Sequence, residues 1–297
     1  MKNSIADNNY YYLASYPKSG NTWVRLFIKE ISRISNIKNE DDLAEININK
    51  ELNTGTITSS RVWISDQLGI NSCDLSFKEL DLVRGKCGKS KNIFNEADRF
   101  HKTHDAFISK DSAGNPILET NNCKGAVYIL RHPEDVVISL SHFFNLNYDE
   151  SVEFLLNKDS CLVPNEGSGN AQVRQYMGRW DKHVLSWVDQ EIIPTIVMRY
   201  EDMKFDPITS FSKLSSFLNL TDDIELIKKA IDNTSIEKIK DIERRLKGFR
   251  EKPAKCDSFF RSGRTGEGAE KLSFIQKEKL YKNMNKVMNR FGYELSK

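Results

Sequence analysis

An eight-residue motif near the start of the chain reads Tyr16-Pro17-Lys18-Ser19-Gly20-Asn21-Thr22-Trp23. The aromatic-rich segment before it, which starts at Tyr10, is short and ends at a proline and a glycine, a pattern that predicts a buried strand followed by a turn. After the turn, apolar residues recur at helical spacing, namely Trp23, Leu26, Phe27, Ile31 and Ile34. The sequence therefore predicts a strand, a glycine-containing turn and a helix as the first structural unit.

The same alternation continues along the chain. Further strands are predicted at Gly125–Leu130, at Thr195–Tyr200 and, with a weaker apolar signal, at Arg99–His104. A helix follows Pro133, with Val136, Val137, Leu140, Phe143 and Phe144 as its inner face, and another opens at Pro207. Strands that alternate with helices predict an α/β fold whose central, mostly parallel sheet is covered by helices on both faces.

The domain organisation follows from the absence of a convincing linker sequence. We expect one domain over residues 1–297, with flexible loops near 163–171 and 252–271 that lie over a site. Parallel sheets bind ligands beyond the carboxyl ends of their strands. Unusual polar residues follow three of the four predicted strands, at Lys18-Ser19-Gly20, at His104 and at Arg131. A ligand site is therefore predicted at that edge of the sheet.

The motif at residues 16–23 has the composition of an anion-binding loop. Backbone N–H groups at a helix start attract anions, Gly20 permits close approach, and Lys18 adds a full positive charge. Ser19 and Thr22 offer hydroxyl donors. The motif is not a Walker loop, because Lys18 precedes the glycine and no earlier glycine opens the loop. A strand–turn–helix without a ligand is the alternative interpretation.

Taken together, these eight residues resemble the donor-binding loop of the cytosolic-type sulfotransferases, which use 3'-phosphoadenosine 5'-phosphosulfate (PAPS). The chain also carries the Lys102-Thr103-His104 stretch that this family has at the end of a later strand. The resemblance implies that His104 is the general base on the acceptor hydroxyl and that Lys102 assists near the sulfuryl group. It also implies that Lys18 stabilises the departing oxygen of the donor.

The resemblance further implies a set of donor-binding residues. Arg131 and Ser139 have the spacing of the family pair that holds the 3'-phosphate, and Trp23 stands where the family stacks a ring on adenine. The full set is Lys18, Ser19, Gly20, Asn21, Thr22, Trp23, Arg131, Ser139, Tyr200, Thr234, Phe260, Arg261, Ser262 and Gly263. Two departures lie near the C-terminal end: Ser262 stands where the family has lysine, and Gly268 stands where it has tryptophan.

Composition limits the function classes. The 297 residues carry 44 Lys and Arg against 42 Asp and Glu, so a net charge of +2 argues against a dedicated nucleic-acid binder. The longest apolar run, Ala126–Leu130, is far shorter than the roughly 20 residues that span a bilayer. Met1–Asp7 has no apolar signal core, and the five scattered cysteines lack metal or redox spacing. We expect a cytoplasmic protein with reduced thiols and no metal, nucleic-acid or membrane partner.

The predicted reaction is transfer of the sulfuryl group from PAPS to a small-molecule hydroxyl or, with less support, an amine. Sulfuryl transfer resembles phosphoryl transfer, an in-line displacement that needs charge stabilised on the leaving oxygen. Two alternatives stay open at this point: an ATP-dependent small-molecule kinase and a catalytically silent nucleotide-binding protein. The sequence leaves the acceptor and the oligomeric state open.

Overall fold

The structure is a computed structural model that describes residues 9–36, 46–51, 56–87, 99–107, 110, 114, 116–163, 171–249, 251–252 and 256–296. Its strands are β1 (Tyr10–Ser15), β2 (Thr56–Ile57), β3 (Phe100–Thr103), β4 (Cys123–Leu130), β5 (Cys161–Leu162), β6 (Gln175–Tyr176) and β7 (Thr195–Arg199). A five-stranded sheet has the order β2-β3-β1-β4-β7, and β5 and β6 form a separate antiparallel pair. Strand β3 runs parallel to both β1 and β2, with Tyr12 opposite His101 and Ala14 opposite Thr103.

The helices alternate with the sheet strands as predicted. They are α1 (Asn21–Ser35), α2 (Ile48–Glu51), α3 (Arg61–Leu68), α4 (Phe77–Arg84), α5 (Pro133–Phe144), α6 (Tyr148–Leu156), α7 (Trp180–Val188), α8 (Tyr200–Phe205), α9 (Pro207–Phe217), α10 (Ile224–Asn233), α11 (Ile236–Arg245), α12 (Glu267–Lys271) and α13 (Phe274–Arg290). Within the described residues, no helix is long and apolar enough to cross a membrane.

Most predicted elements stand close to their expected bounds. One correction concerns Tyr200, which was expected to end a strand but begins α8, because β7 stops at Arg199. The two-residue strands β2, β5 and β6 were not predicted, since two residues carry no readable period. Of the two expected flexible loops, residues 164–170 and 253–255 lie outside the described residues, and α12 lies within the second loop's range.

The chain clusters into two units, each built from non-contiguous segments. The first contains the described residues of 1–16, 55–128 and 156–197, and the second those of 17–54, 129–155 and 198–297. Strands β1, β2 and β3 belong to the first unit, whereas the last residues of β4 and β7 belong to the second. The single domain over residues 1–297 stays a prediction.

Each unit has an apolar cluster of its own. In the second unit, α1, α2 and α11 contribute to a cluster of Leu26, Ile46, Ile48, Ile239, Ile242, Phe249 and Phe260. In the first unit, α3 and α4 contribute to a cluster of Ile64, Phe77, Leu80, Cys87 and Val173. All five cysteines are free thiols, and burial raises the pKa of Cys87 and of Cys123 to about 11. Thiols whose pKa is raised in this way are unreactive at neutral pH.

Candidate functional site

The turn between β1 and α1 depends on Gly20. This residue is the N-cap of α1 and has φ +108°, a left-handed conformation that glycine adopts without strain. A Cβ atom at this position would lie 2.7 Å from Cδ2 of Tyr200. Gly20 therefore satisfies two requirements at once, backbone conformation and close approach to a tyrosine ring.

A second feature of the turn is the buried hydroxyl of Ser19, a residue only 1% exposed. Its Oγ atom has no hydrogen-bond partner among the residues that the structure describes. A buried polar group without a partner costs about 1–3 kcal/mol. A hydroxyl in this state at the start of a helix suits a bound anion, which would supply the missing acceptor.

Arg131 lies directly after β4 and is buried among several partners. Its guanidinium donates to the backbone oxygen of Arg264 at 2.8 Å and to that of Lys18 at 3.3 Å. It also lies 4.4 Å from the centroid of the Tyr200 ring and 3.8 Å from a carboxylate oxygen of Asp135. The side chain is thus pre-oriented, with a positive charge beside the turn.

Ser139, the predicted partner of Arg131, lies on α5 about two turns after the helix begins. It is partly exposed. Ser139 and Arg131 would come together only by binding the same anion.

We call residues 260–268 the strap. Two backbone oxygens of the strap accept hydrogen bonds. The Gly263 oxygen accepts one from the Tyr200 hydroxyl at 2.9 Å, and the Arg264 oxygen accepts one from the Arg131 side chain. The N–H groups of Gly266 and Gly268 donate to the two carboxylate oxygens of Asp135 at 2.9 and 2.8 Å. The strap is therefore held by side chains that come from other segments of the second unit.

The strap explains why tryptophan is absent at position 268. A Cβ atom on Gly268 would lie 2.5 Å from the carbonyl carbon of Glu134 in α5. Backbone atoms cannot move aside as a flexible side chain can, so helices α12 and α5 pack together only with glycine here. The departure from the family pattern is thus a packing feature of this chain.

The side chain of Glu267 pairs with Arg261 and Arg264 of the strap and with Lys271 of α12. Arg261 forms two hydrogen bonds to it, Ser262 donates at 2.6 Å, Lys271 lies at 3.1 Å and Arg264 at 3.2 Å. Burial raises the pKa of Glu267, but the hydrogen bonds from Arg261, Ser262 and Lys271 outweigh it and hold the pKa well below its usual range. The carboxylate is therefore ionised at neutral pH and fixes the Arg261 guanidinium.

Of the predicted donor-binding residues Trp23, Tyr200 and Thr234, the structure brings the first two into contact. Trp23 contacts the rings of Tyr200 and Phe211 edge to face, at centroid distances of 5.8 and 5.1 Å. Thr234 is fully buried at the end of α10, and its hydroxyl donates to the Ala230 backbone oxygen at 2.7 Å. Thr234 therefore exposes no surface to a ligand in this structure, and its hydroxyl is used at the end of α10.

A groove, most of whose lining residues are charged, includes part of the strap. Its volume is about 720 Å³, and α11 lines one wall of it. Phe260 and Ser262, two of the predicted donor-binding residues, line the groove together with Ile236.

His104 lies directly after β3, in the first unit, and is 9% exposed. Its Nδ1 atom is 2.8 Å from the backbone oxygen of Ser15. A carbonyl oxygen only accepts hydrogen bonds, so Nδ1 carries the proton and Nε2 carries the lone pair of the neutral ring. The imidazole thus has the tautomer and the fixed orientation that a general base needs. Lys102, two residues earlier on β3, is also 9% exposed.

Several residues that hold His104 were not predicted. The buried carboxylate of Asp105 pairs with Arg84 at 2.6 Å and accepts the N–H of Tyr176 at 2.8 Å. Nε2 of His183 lies 3.1 Å from the His104 backbone oxygen. Burial lowers the pKa of His183 to about 4, so this ring is neutral and donates that hydrogen bond. In the sequence, Asp105 offers the only signal, a charged residue directly after a strand.

The predicted residues divide between the two units. Lys102 and His104 belong to the first, and all predicted donor-binding residues, from Lys18 to Gly263, belong to the second. Across the described ranges, no group of three or more histidine, cysteine or acidic side chains could hold a metal ion.

A family model for the sulfotransferase domain matches residues 10–292. The chain belongs to the sulfotransferase family. Two similar members are sulfotransferase 1B1 of Canis lupus familiaris and flavonol 3-sulfotransferase of Flaveria bidentis. The first is 26% identical over 281 residues, which cover 90% of this chain and 79% of that protein. The second is 25% identical, in an alignment that covers 98% of this chain and 85% of that protein.

Two solved sulfotransferase-like structures have the same fold. Mouse sulfotransferase SULT7A1 complexed with PAP (adenosine 3',5'-bisphosphate) superposes with a TM-score of 0.57 at 20% identity, covering 95% of this chain and 84% of that one. Retinol dehydratase in complex with androsterone and PAP superposes with a TM-score of 0.60 at 15% identity, covering 97% of this chain and 82% of that one.

These comparisons confirm the predicted family, the enzyme class of PAPS-dependent sulfotransferase, and the α/β fold with a central parallel sheet flanked by helices. The roles of single residues, the cytoplasmic location and the absence of a metal stay predictions.

Proposed function

We propose that the chain transfers the sulfuryl group of PAPS to the hydroxyl of a small-molecule acceptor, with His104 as the base and Lys18 on the leaving group. The acceptor oxygen attacks sulfur while the bond from sulfur to the bridging phosphate oxygen breaks. His104 Nε2 takes the hydroxyl proton, and the products are a sulfate ester and PAP. Lys102 assists at the sulfuryl oxygens, and Arg131, Ser139 and the strap bind the 3'-phosphate.

The observation that carries this proposal is the distance of 2.8 Å between Nδ1 of His104 and the backbone oxygen of Ser15. An Nδ1–H group bound to the Ser15 oxygen leaves the basic nitrogen of the ring as the proton acceptor. An alcohol has a pKa far above neutrality, so a base of this kind aids its attack. The catalytically silent alternative gives no reason to hold a histidine in this tautomer beside Lys102.

The donor proposal rests on the anion-binding features of the second unit. The buried Ser19 hydroxyl, the Lys18 charge and the fixed Arg131 guanidinium offer two cationic positions, as a donor with phosphates at both the 5' and 3' positions requires. Retinol dehydratase, a neighbour in fold, has been solved with androsterone and with retinol. Neutral small molecules with a hydroxyl are therefore the acceptors to test first.

A donor-dependent acceptor screen tests the proposal. The purified protein is incubated with PAPS and a panel of phenols, aliphatic alcohols and amines, and mass spectrometry detects an added sulfuryl group. The same panel with ATP and Mg²⁺ tests the kinase alternative, which would add a phosphoryl group and would fail with a chelator. Calorimetry should give binding of PAP that is tighter than binding of ATP.

His104→Ala tests the base. We expect kcat to fall by about 10²–10⁴-fold because the proton acceptor is lost. PAP affinity should stay unchanged, since the predicted donor-binding residues are separate from His104. Lys182→Ala, at an exposed lysine of α7 in the same unit as His104, is the control and should leave kcat unaltered. A His104→Ala enzyme within tenfold of the parent would exclude His104 as the base.

A further inference from the structure

The ammonium group of Lys18 lies between two aromatic rings. Its Nζ atom is 4.0 Å from the centroid of the Phe143 ring and 4.3 Å from that of the Phe259 ring. The two rings stand at 83° to each other with centroids 6.0 Å apart. Both distances are well within the roughly 6 Å over which a cation is attracted by a ring face.

The backbone of Lys18 is fixed in an unusual conformation. Its φ of +69° lies in the left-handed region, which residues other than glycine seldom adopt. The Lys18 oxygen accepts a hydrogen bond from Arg131. Because Lys18 is held in a strained conformation within the loop, the surrounding structure sets the direction of its side chain.

The rings are themselves held firmly. Phe143 belongs to the last turn of α5. Phe259 contacts Phe249 and Phe260 at centroid distances of 4.7 and 4.9 Å. The N–H groups of Phe259 and Phe260 donate to the two carboxylate oxygens of Glu243, which is 5% exposed. The position of the Phe259 ring is thus set by a buried carboxylate.

We propose that Phe143 and Phe259 form a cation–π clamp that positions Lys18 for the leaving oxygen of the donor. This inference rests on the proposed function, in which Lys18 stabilises that oxygen. A ring face attracts the ammonium without neutralising it, whereas a carboxylate would compete with the donor for the charge. Phe143 and Phe259 are therefore positioning residues, and the chemistry stays with Lys18.

The test lowers the electron density on the face of each ring while it keeps the shape of the ring. Phe259 is replaced by phenylalanines with one, two and three ring fluorines, and a second series does the same at Phe143. Each fluorine weakens the negative ring face, so kcat with PAPS should fall stepwise, by about threefold to thirtyfold across each series. Phe291, whose ring centroid lies 5.4 Å from the Arg290 guanidinium, is the matched control and should give a flat series.

A second readout needs no turnover. In the donor-free protein, the rate of Lys18 acylation is measured by mass spectrometry at fixed pH. It should rise along both fluorine series, because a weaker clamp holds the amine against the two ring faces for less of the time. The clamp would be overturned if the acylation rate and kcat stayed flat across the series at positions 143 and 259, or if the series at position 291 gave equal responses. Stepwise acylation in a protein that transfers no sulfuryl group would support the clamp and overturn the proposed function.

Discussion

The loop at residues 16–23 and the strap at residues 260–268 are both assigned to the donor, but they are held in different ways. The loop is held by residues that are close in sequence. Gly20 connects β1 to α1, and the N–H group of Trp23 donates to the Gly20 oxygen at 3.0 Å. The strap depends on Asp135, whose carboxylate binds backbone N–H groups 131 and 133 positions later in the chain.

This difference determines what a sequence can show. A loop that is built by neighbouring residues can be recognised in consecutive residues of the sequence, because strand, glycine and helix follow one another. A strap that is held by distant side chains has no such pattern, because residues such as Asp135 and Tyr200 stand alone in the sequence. We therefore expect mutations in the loop to affect chemistry directly, and mutations around the strap to act by changing how well it is positioned.

Among variants of the loop and the strap, the largest effect is expected from Lys18→Ala in the loop. Loss of the ammonium leaves the charge on the departing phosphate oxygen unstabilised, and removing one such group typically lowers kcat by about 10²–10³-fold. Steady-state kinetics with PAPS measures it. Lys213→Ala, at an exposed lysine of α9, is the control and should match the parent. An unimpaired Lys18→Ala enzyme would remove the loop from the mechanism.

Arg131→Ala tests the connection between loop and strap, since Arg131 donates to Lys18 in one and to Arg264 in the other. A charge-assisted hydrogen bond contributes roughly 1.5–3 kcal/mol, so PAP affinity should fall by about 10–100-fold. Binding of 5'-AMP, which lacks the 3'-phosphate, should stay nearly unchanged.

Trp23→Ala is the comparison variant for Arg131→Ala. Stacking on adenine does not sense the 3'-phosphate, so this change should weaken PAP and 5'-AMP alike. Calorimetry with both variants and both ligands gives the four values needed. If Arg131→Ala weakens both ligands equally, Arg131 is structural and the 3'-phosphate site lies elsewhere.

The sequence was sufficient for β1, α1, β4 and α5, because each has its own apolar period and its own proline or glycine boundary. It also placed Lys18, Arg131 and His104 at strand ends, where the structure has them. It could not reveal the clamp: the spacing of Phe143 is that of an inner helix face, and its partner Phe259 lies far along the chain. Nor could it reveal the pairing of Asp105 with Arg84, since one buried charge has no sequence pattern.

The smallest effect is expected from Asp135→Asn, which tests the strap alone. An amide keeps one acceptor oxygen and places an NH2 group against the other backbone N–H, so one of the bonds to Gly266 and Gly268 is lost. The strap keeps its bonds to Tyr200 and Arg131. PAP affinity should therefore fall by only about threefold to tenfold, or 0.7–1.4 kcal/mol.

Three comparisons make the Asp135→Asn result specific. Affinity for 5'-AMP should not change, because the strap is assigned to the 3'-phosphate, and kcat should stay within about twofold, since Lys18 and His104 are untouched. Asp222→Asn, at an exposed aspartate before α10, is the matched control and should alter none of these values. If Asp135→Asn lowered kcat as strongly as Lys18→Ala, the strap would act in the chemical step itself, and the contrast between a catalytic loop and a positioned strap would be wrong.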